Sequence, residues 1–297
     1  MPLESFAKYP LLFGPSPVHR LDRLTRHLGG APPGHVRRPG NLLRRPEQLP
    51  EHDRGSLSAA RPPGQSVSAR SPGWPVRGTL SGMEERGRHG AVRRSYDAVA
   101  QHYADSLRGE LAGKPLDRAL LASLIEQTAH GAPIADLGCG PGHVTGWLTA
   151  HGAPAVGIDL SSAMIAIAEK EHPGARFRRG DLLDLPAGDG EFGAVVAFYS
   201  IIHLEPGELP RAFAEMHRVL RPGGLALVSF HRGAEVRHRD EWWGQQVDVD
   251  FRFLETRDVA AALEGAGLPI QARLERTSYP AEVETWRSYL LARRQAS

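Results

Sequence analysis

Nine residues, IADLGCGPG at 134–142, constrain this chain more than any other stretch. They read as a short buried strand ending at Asp136, then a turn with glycine at Gly138, Gly140 and Gly142. Alternating glycines remove side chains where backbone must pass against a ligand or take φ > 0. The residues that follow, HVTGWLTA, suit a helix whose first N–H groups have no partner within the helix. A second acid, Asp159, ends the next apolar run, AVGIDL. A glycine turn with an acid on the neighbouring strand is how a doubly wound sheet holds a nucleoside, the acid taking the ribose hydroxyls. The pattern predicts a nucleoside-bearing cofactor.

The spacing narrows the choice. Dinucleotide sites use G-x-G-x-x-G, whose last glycine packs helix on strand; the position that form requires is His143 here. The arrangement Asp-x-Gly-x-Gly-x-Gly instead resembles motif I of the class I S-adenosylmethionine-dependent methyltransferases. Further pieces follow in order. Ser161 is a plausible N-cap, and SSAMIAIAEKEH has helical apolar spacing. A short strand at 176–179 leads to Asp181, and FGAVVAFY at 192–199 is an unbroken apolar run, as in a strand covered on both faces. SIIHL at 200–204 falls at its carboxyl end, where open α/β sheets put their ligands. A helix is expected over 206–220, then a turn at Arg221-Pro222-Gly223-Gly224 and the strand LALVSFH. The resemblance is to the small-molecule branch, from about Tyr96 to the C-terminus.

It implies a Rossmann-like, seven-stranded, mostly parallel α/β sheet with an antiparallel C-terminal edge strand, and S-adenosylmethionine as cofactor. Carried onto this sequence, the cofactor residues are Asp136, Gly138, Gly140, Gly142, Asp159, Leu160, Met164, Asp181, Leu182 and Tyr199, with Asp181 taking the adenine amine and Leu182 near the ring. Helical spacing also makes Met164 a core residue. Before motif I, Tyr96, Val99, Ala100 and Tyr103 share one helical face. The resemblance makes this segment part of a helical lid over 91–130, with Tyr96 and Tyr103 reaching the cofactor; packing alone is the competing reading. Lys114 and Arg118 are weaker candidates for ligand contact.

His203 is the expected catalytic residue, a base at the end of the fourth strand, where imidazole titrates near neutral pH; a packing or capping role is the alternative. His231 has a lesser claim. Trp242, Trp243, Phe251 and Phe253 lie where acceptor-binding elements are expected, and they either line a pocket or cover the sheet edge. A helix over 255–267 and strands near 268–277 and 285–294 complete the domain.

Composition divides the chain. Residues 1–82 hold 12 Lys/Arg against 5 Asp/Glu and 13 of the 24 prolines. Their apolar runs are short and without period, so little core offsets the entropy of ordering. They are expected to be a disordered Arg/Pro/Gly-rich extension, or to precede the working start at Met83, leaving 83–297 as the methyltransferase domain. One cysteine, Cys139, excludes a disulfide framework or a Cys-based metal site. No metal, membrane or nucleic-acid partner is expected, and a cytoplasmic setting is. The expected activity is methyl transfer to an oxygen, nitrogen or carbon of a small molecule. A cofactor-binding regulatory protein without transferase activity is the alternative.

Overall fold

The computed structural model describes residues 87–296. The expectations for the extension at 1–82 and for a start at Met83 lie outside the described residues. Helix α1 (Arg88–Leu107) is followed by a 3-10 turn (Glu110–Gly113) and α2 (Pro115–Gln127). Then come β1 (Ile134–Leu137), α3 (His143–Ala150), β2 (Ala155–Asp159), α4 (Ser162–Glu171), β3 (Arg176–Arg179) and β4 (Phe192–Phe198). The C-terminal part adds α5 (Leu209–Val219), β5 (Leu220–Arg232), the hairpin β6 (Val236–Trp242) and β7 (Gln245–Arg252), α6 (Thr256–Gly265), β8 (Ile270–Arg276) and β9 (Trp286–Arg293).

Seven strands form one sheet in the order β3-β2-β1-β4-β5-β9-β8. The pairs among β3, β2, β1, β4 and β5 are parallel, and β9 runs antiparallel to both β5 and β8. The apolar run of β4 supplies both faces. Val195 and Ala197 join the core under α5 and α6, while Ala194 and Val196 join the smaller core under α2 and α3. Strand order reverses between β1 and β4, so a crevice opens beyond their carboxyl ends.

Two local expectations are corrected. The helix expected over 206–220 starts only at Leu209, because Glu208 first closes a turn: its N–H donates to the Glu205 carbonyl and its carboxylate accepts from the Glu205 N–H. The turn expected at 221–224 is absorbed into β5 as an irregularity in its ladder with β4, with Gly223 at φ 78°. The mixed stretch at 232–253 is a hairpin forming its own two-stranded sheet. Its two-residue loop, Trp243-Gly244, has φ of 52° and 75°, which matches the right-handed strand twist.

Helix α1 docks across the crevice by polar links. Asp97 accepts from the Ser161 hydroxyl at 2.6 Å and from the Ala163 N–H at 3.1 Å, holding the start of α4. Ser161 also caps α4 through the Met164 N–H, as its sequence position predicts. On the hairpin side, Ser95 accepts from the Asp248 N–H at 2.8 Å. At the first turn of α1, His89 Nδ1 lies 2.7 Å from Asp181 and Nε2 lies 3.2 Å from Glu208. Two carboxylate partners require both nitrogens to donate, and the hydrogen bond to Asp181 raises the His89 pKa despite burial.

Gly142, at φ 83°, lets α3 start against β3: a Cβ there would lie 2.9 Å from the Phe177 ring and 3.0 Å from Ala168. Gly142→Ala is expected to cost about 1–3 kcal/mol, read as a lower urea midpoint. The His89 link has a defined pH sign. Its folded pKa lies above 6.5, so its stabilisation is full below that value and is lost as pH rises through the folded value. Amide exchange over residues 88–92 should therefore quicken with pH beyond its intrinsic rise, and His89→Ala should abolish that excess.

Candidate functional site

The turn after β1 is held open by the chain around it. Gly138 takes φ 73°, and a Cβ there would lie 2.3 Å from that of Ser200, so the ends of β1 and β4 touch. Gly140 differs: at its Cβ position only Tyr103 comes near, at 3.7 Å, and the remaining space belongs to a cavity. Asp159 fixes this turn. One of its oxygens accepts from the Gly140 N–H and the other from the Ser161 N–H, both at 2.8 Å. Burial pushes the Asp159 pKa up to about 6 against those two donors. A carboxylate oxygen carries two lone pairs, so each keeps acceptor capacity for a ligand.

The cavity measures about 620 Å³ and lies between the strand ends, α1, the start of α2, the hairpin and the 279–283 loop. That is within the range of small-molecule sites. Of the residues expected to bind cofactor, Asp136, Gly138, Gly140, Asp159, Leu160, Asp181, Leu182, Tyr199, Tyr96 and Tyr103 all line it. Gly142 and Met164 do not: Gly142 serves packing against Phe177, and Met164 is buried in the core at 1% exposure. Asp136 is buried with one oxygen 2.6 Å from the Thr145 hydroxyl, which ties the strand end to α3. Asp181 lines the cavity, but His89 engages one of its oxygens and the Leu183 N–H the other.

His203 lines the cavity with both ring nitrogens partnered. Nδ1 lies 2.9 Å from the Asp250 carbonyl and Nε2 lies 2.8 Å from the Tyr96 hydroxyl. Burial lowers its pKa to about 4. His203 is itself part of the cavity wall, with Nε2 turned to Tyr96. The hydroxyl of Tyr96, expected to reach a cofactor carboxylate, is turned to that histidine. His231 also lines the cavity, with Nδ1 3.0 Å from Thr285 and burial holding its pKa at about 3. The aromatic group divides, because Trp243 and Phe251 line the cavity, whereas Trp242 and Phe253 belong to the core.

Of a cluster of buried charge, only Lys114 stands out in the sequence. Lys114 lies 2.7 Å from Glu110 and 3.4 Å from Glu282. Arg276 bridges Asp117 at 3.2 Å and Glu282 at 2.5 Å. His143 Nε2 lies 3.3 Å from Glu110. Burial alone would raise the carboxylic acid pKa of Glu110, but Lys114 and His143 bring it down to about 2. Arg118, by contrast, is spent on the backbone carbonyls of Leu111 and Ala112. Beyond Lys114 itself, the only early signal for this cluster was the Glu110–Lys114 spacing of four, which is common on any solvated helix.

Two buried polar atoms in the cavity wall, Ser200 Oγ and His143 Nδ1, have no partner among the described residues. Buried polar groups are nearly always paired. With the open Gly140 cradle and the spare lone pairs of Asp159, the site therefore has the chemistry to receive a polar nucleoside ligand. Among the described residues no group of three or more His, Cys, Asp or Glu could hold a metal ion.

Residues 134–224 match the family model described as a methyltransferase domain. An uncharacterised methyltransferase of Synechocystis sp. is 39% identical over 103 residues, which are 34% of this chain and 49% of that protein. A malonyl-[acyl-carrier protein] O-methyltransferase of Pectobacterium atrosepticum is 35% identical over 119 residues, 40% of this chain and 46% of that protein. The chain thus spans about half the length of these relatives. In fold it resembles a 1,6-didemethyltoxoflavin-N1-methyltransferase of Burkholderia thailandensis, solved with 1,6-didemethyltoxoflavin and S-adenosylhomocysteine. There the TM-score is 0.56 at 20% identity, covering 74% of this chain and 94% of that one. Motif, sheet order and relatives agree in one respect: residues 134–224 form a methyltransferase domain, set in a sheet of the kind found in S-adenosylmethionine-dependent methyltransferases.

Proposed function

We propose that this chain transfers a methyl group from S-adenosylmethionine to a small-molecule acceptor. The observation that carries the reading is the Asp159 carboxylate, held by the Gly140 and Ser161 N–H groups at the rim of an open glycine cradle. The cofactor, when bound, supplies a methyl group already activated on a sulfonium. Asp159 would take the ribose hydroxyls, and Leu160 and Leu182 would flank the base. The adenine amine would share Asp181 with His89. Ser200 Oγ and His143 Nδ1 are polar groups for the methionine end, beside Asp136 and the Gly138 backbone.

The chain's remaining work is placement. An in-line displacement gains about 7–11 kcal/mol from orientation in a dry site. Helix α1, with Tyr96 and Tyr103 facing the cavity, forms the roof that excludes water. The cavity would hold the acceptor's lone pair toward that methyl group, with the acceptor's hydrogen released as a proton. A cavity of about 620 Å³ under a helix fits a small acceptor rather than a nucleic acid. A cytoplasmic setting is part of the proposal, in keeping with Cys139 being a buried free thiol inside the cofactor turn. No helix of the described residues is long and apolar enough to cross a membrane.

Calorimetric titration of S-adenosylhomocysteine into the full chain tests the reading. Micromolar binding is expected, with at least tenfold loss in Asp159→Ala; equal affinity in the variant, or no binding by the parent, overturns it. The pH dependence has a fixed sign. Hydroxyl donors favour the charged carboxylate, and Asp159 protonates at about pH 6 without ligand. Affinity should therefore be flat above neutrality and fall about tenfold per unit below about pH 6.

A further inference from the structure

Four tyrosines, Tyr96, Tyr103, Tyr199 and Tyr279, line the cavity, and for Tyr96 and Tyr199 the protein fixes where the hydrogen points. A carbonyl only accepts, so the contact to the Asp250 carbonyl puts the hydrogen of His203 on Nδ1. A neutral imidazole has one N–H, so Nε2 is bare and accepts the Tyr96 O–H at 2.8 Å. Tyr199 is settled by a longer chain. Arg276 Nε donates to the Tyr289 oxygen at 3.0 Å, and the Tyr289 O–H points at the Asp117 carboxylate, 3.1 and 3.2 Å away. Tyr289 has no second hydrogen, so in its 3.4 Å contact with Tyr199 the donor is Tyr199.

Tyr96 and Tyr199 thus give their hydrogens to the protein. What Tyr96 and Tyr199 retain for a ligand is acceptor capacity alone. Tyr199 is also held at φ 54°, a conformation a bulky residue adopts only where the surroundings impose it. The charge of the wall agrees: six Asp or Glu side chains line the cavity against three Lys or Arg. Lys114 and Arg287 among those three are paired with Glu282. At these two hydroxyls a carboxylate would meet lone pairs, whereas an O–H or N–H group would meet acceptors.

We propose that Tyr96 and Tyr199 form an acceptor-selecting pair, oriented by His203 and Tyr289, that takes the methyl acceptor by a hydrogen on its nucleophilic atom, so the substrate is a hydroxyl or amine compound and not a carboxylate. This rests on the methyltransferase reading above. Tyr96 and Tyr199 touch the acceptor; His203 and Tyr289 are positioning residues acting through them.

The test uses the full chain saturated with S-adenosylhomocysteine. Long-range proton–nitrogen NMR of His203 should show hydrogen on Nδ1 and a bare Nε2; hydrogen on Nε2 overturns the proposal, since Tyr96 would then be free to donate. Three matched probes are titrated into the same sample: 4-ethylphenol, 4-ethylaniline and 4-ethylbenzoate. The phenol or the aniline should bind at least about tenfold tighter than the benzoate, and the ratio should collapse in the double variant Tyr96→Phe/Tyr199→Phe. His203→Gln, whose amide oxygen can still accept from Tyr96, should keep the preference, and His203→Leu should weaken it. Equal binding of the probes, including none, or tighter binding of the benzoate overturns the inference. Retained S-adenosylhomocysteine binding alongside that result confines the failure to the acceptor class, whereas loss of that binding overturns the cofactor reading as well.

Discussion

The site depends on one buried carboxylate with two backbone partners. Asp159 closes β2, pins the glycine turn after β1 through the Gly140 N–H, and meets the Ser161 N–H at the start of α4. Burying this charge is unfavourable, and its pKa of about 6 records how far the two donors fall short of water. Ligand hydroxyls would supply the missing hydrogen bonds. The same junction carries the roof, because Asp97 of α1 grips Ser161 and Ala163 just beyond it. Cradle, sheet switch point and roof thus meet within a few residues.

Much of this was legible in the residue pattern for a physical reason. Parallel strands buried on both faces read as unbroken apolar runs, so β1, β2 and β4 announced themselves, and the glycines between them can only mark unusual backbone. Asp136, Asp159 and Asp181 fall at strand ends, and a doubly wound sheet brings strand ends to one crevice. The helix over 255–267 was equally plain from its amphipathic period, while the last two strands followed from the family resemblance.

What escaped were features decided by tertiary partners. The alternation of Val247, Val249 and Phe251 was present in the sequence, but charged residues on the open side and the Trp243-Gly244 loop obscured the hairpin. His89 and Glu282 look like surface residues along the chain, and Lys114 is only a weak candidate for ligand contact there. They become cavity residues because α1, the start of α2 and the 279–283 loop fold over one opening. His203 was found, but its chemistry was not, since the Tyr96 and Asp250 contacts arise from elements 107 and 47 residues away.

A crystal structure of the full chain with S-adenosylhomocysteine tests the central claim most directly. The account predicts both ribose hydroxyls on Asp159, the ligand passing over Gly140, and Asp181 shared between the adenine amine and His89. A ligand seated elsewhere, or ribose hydroxyls that make no contact with Asp159, would contradict it.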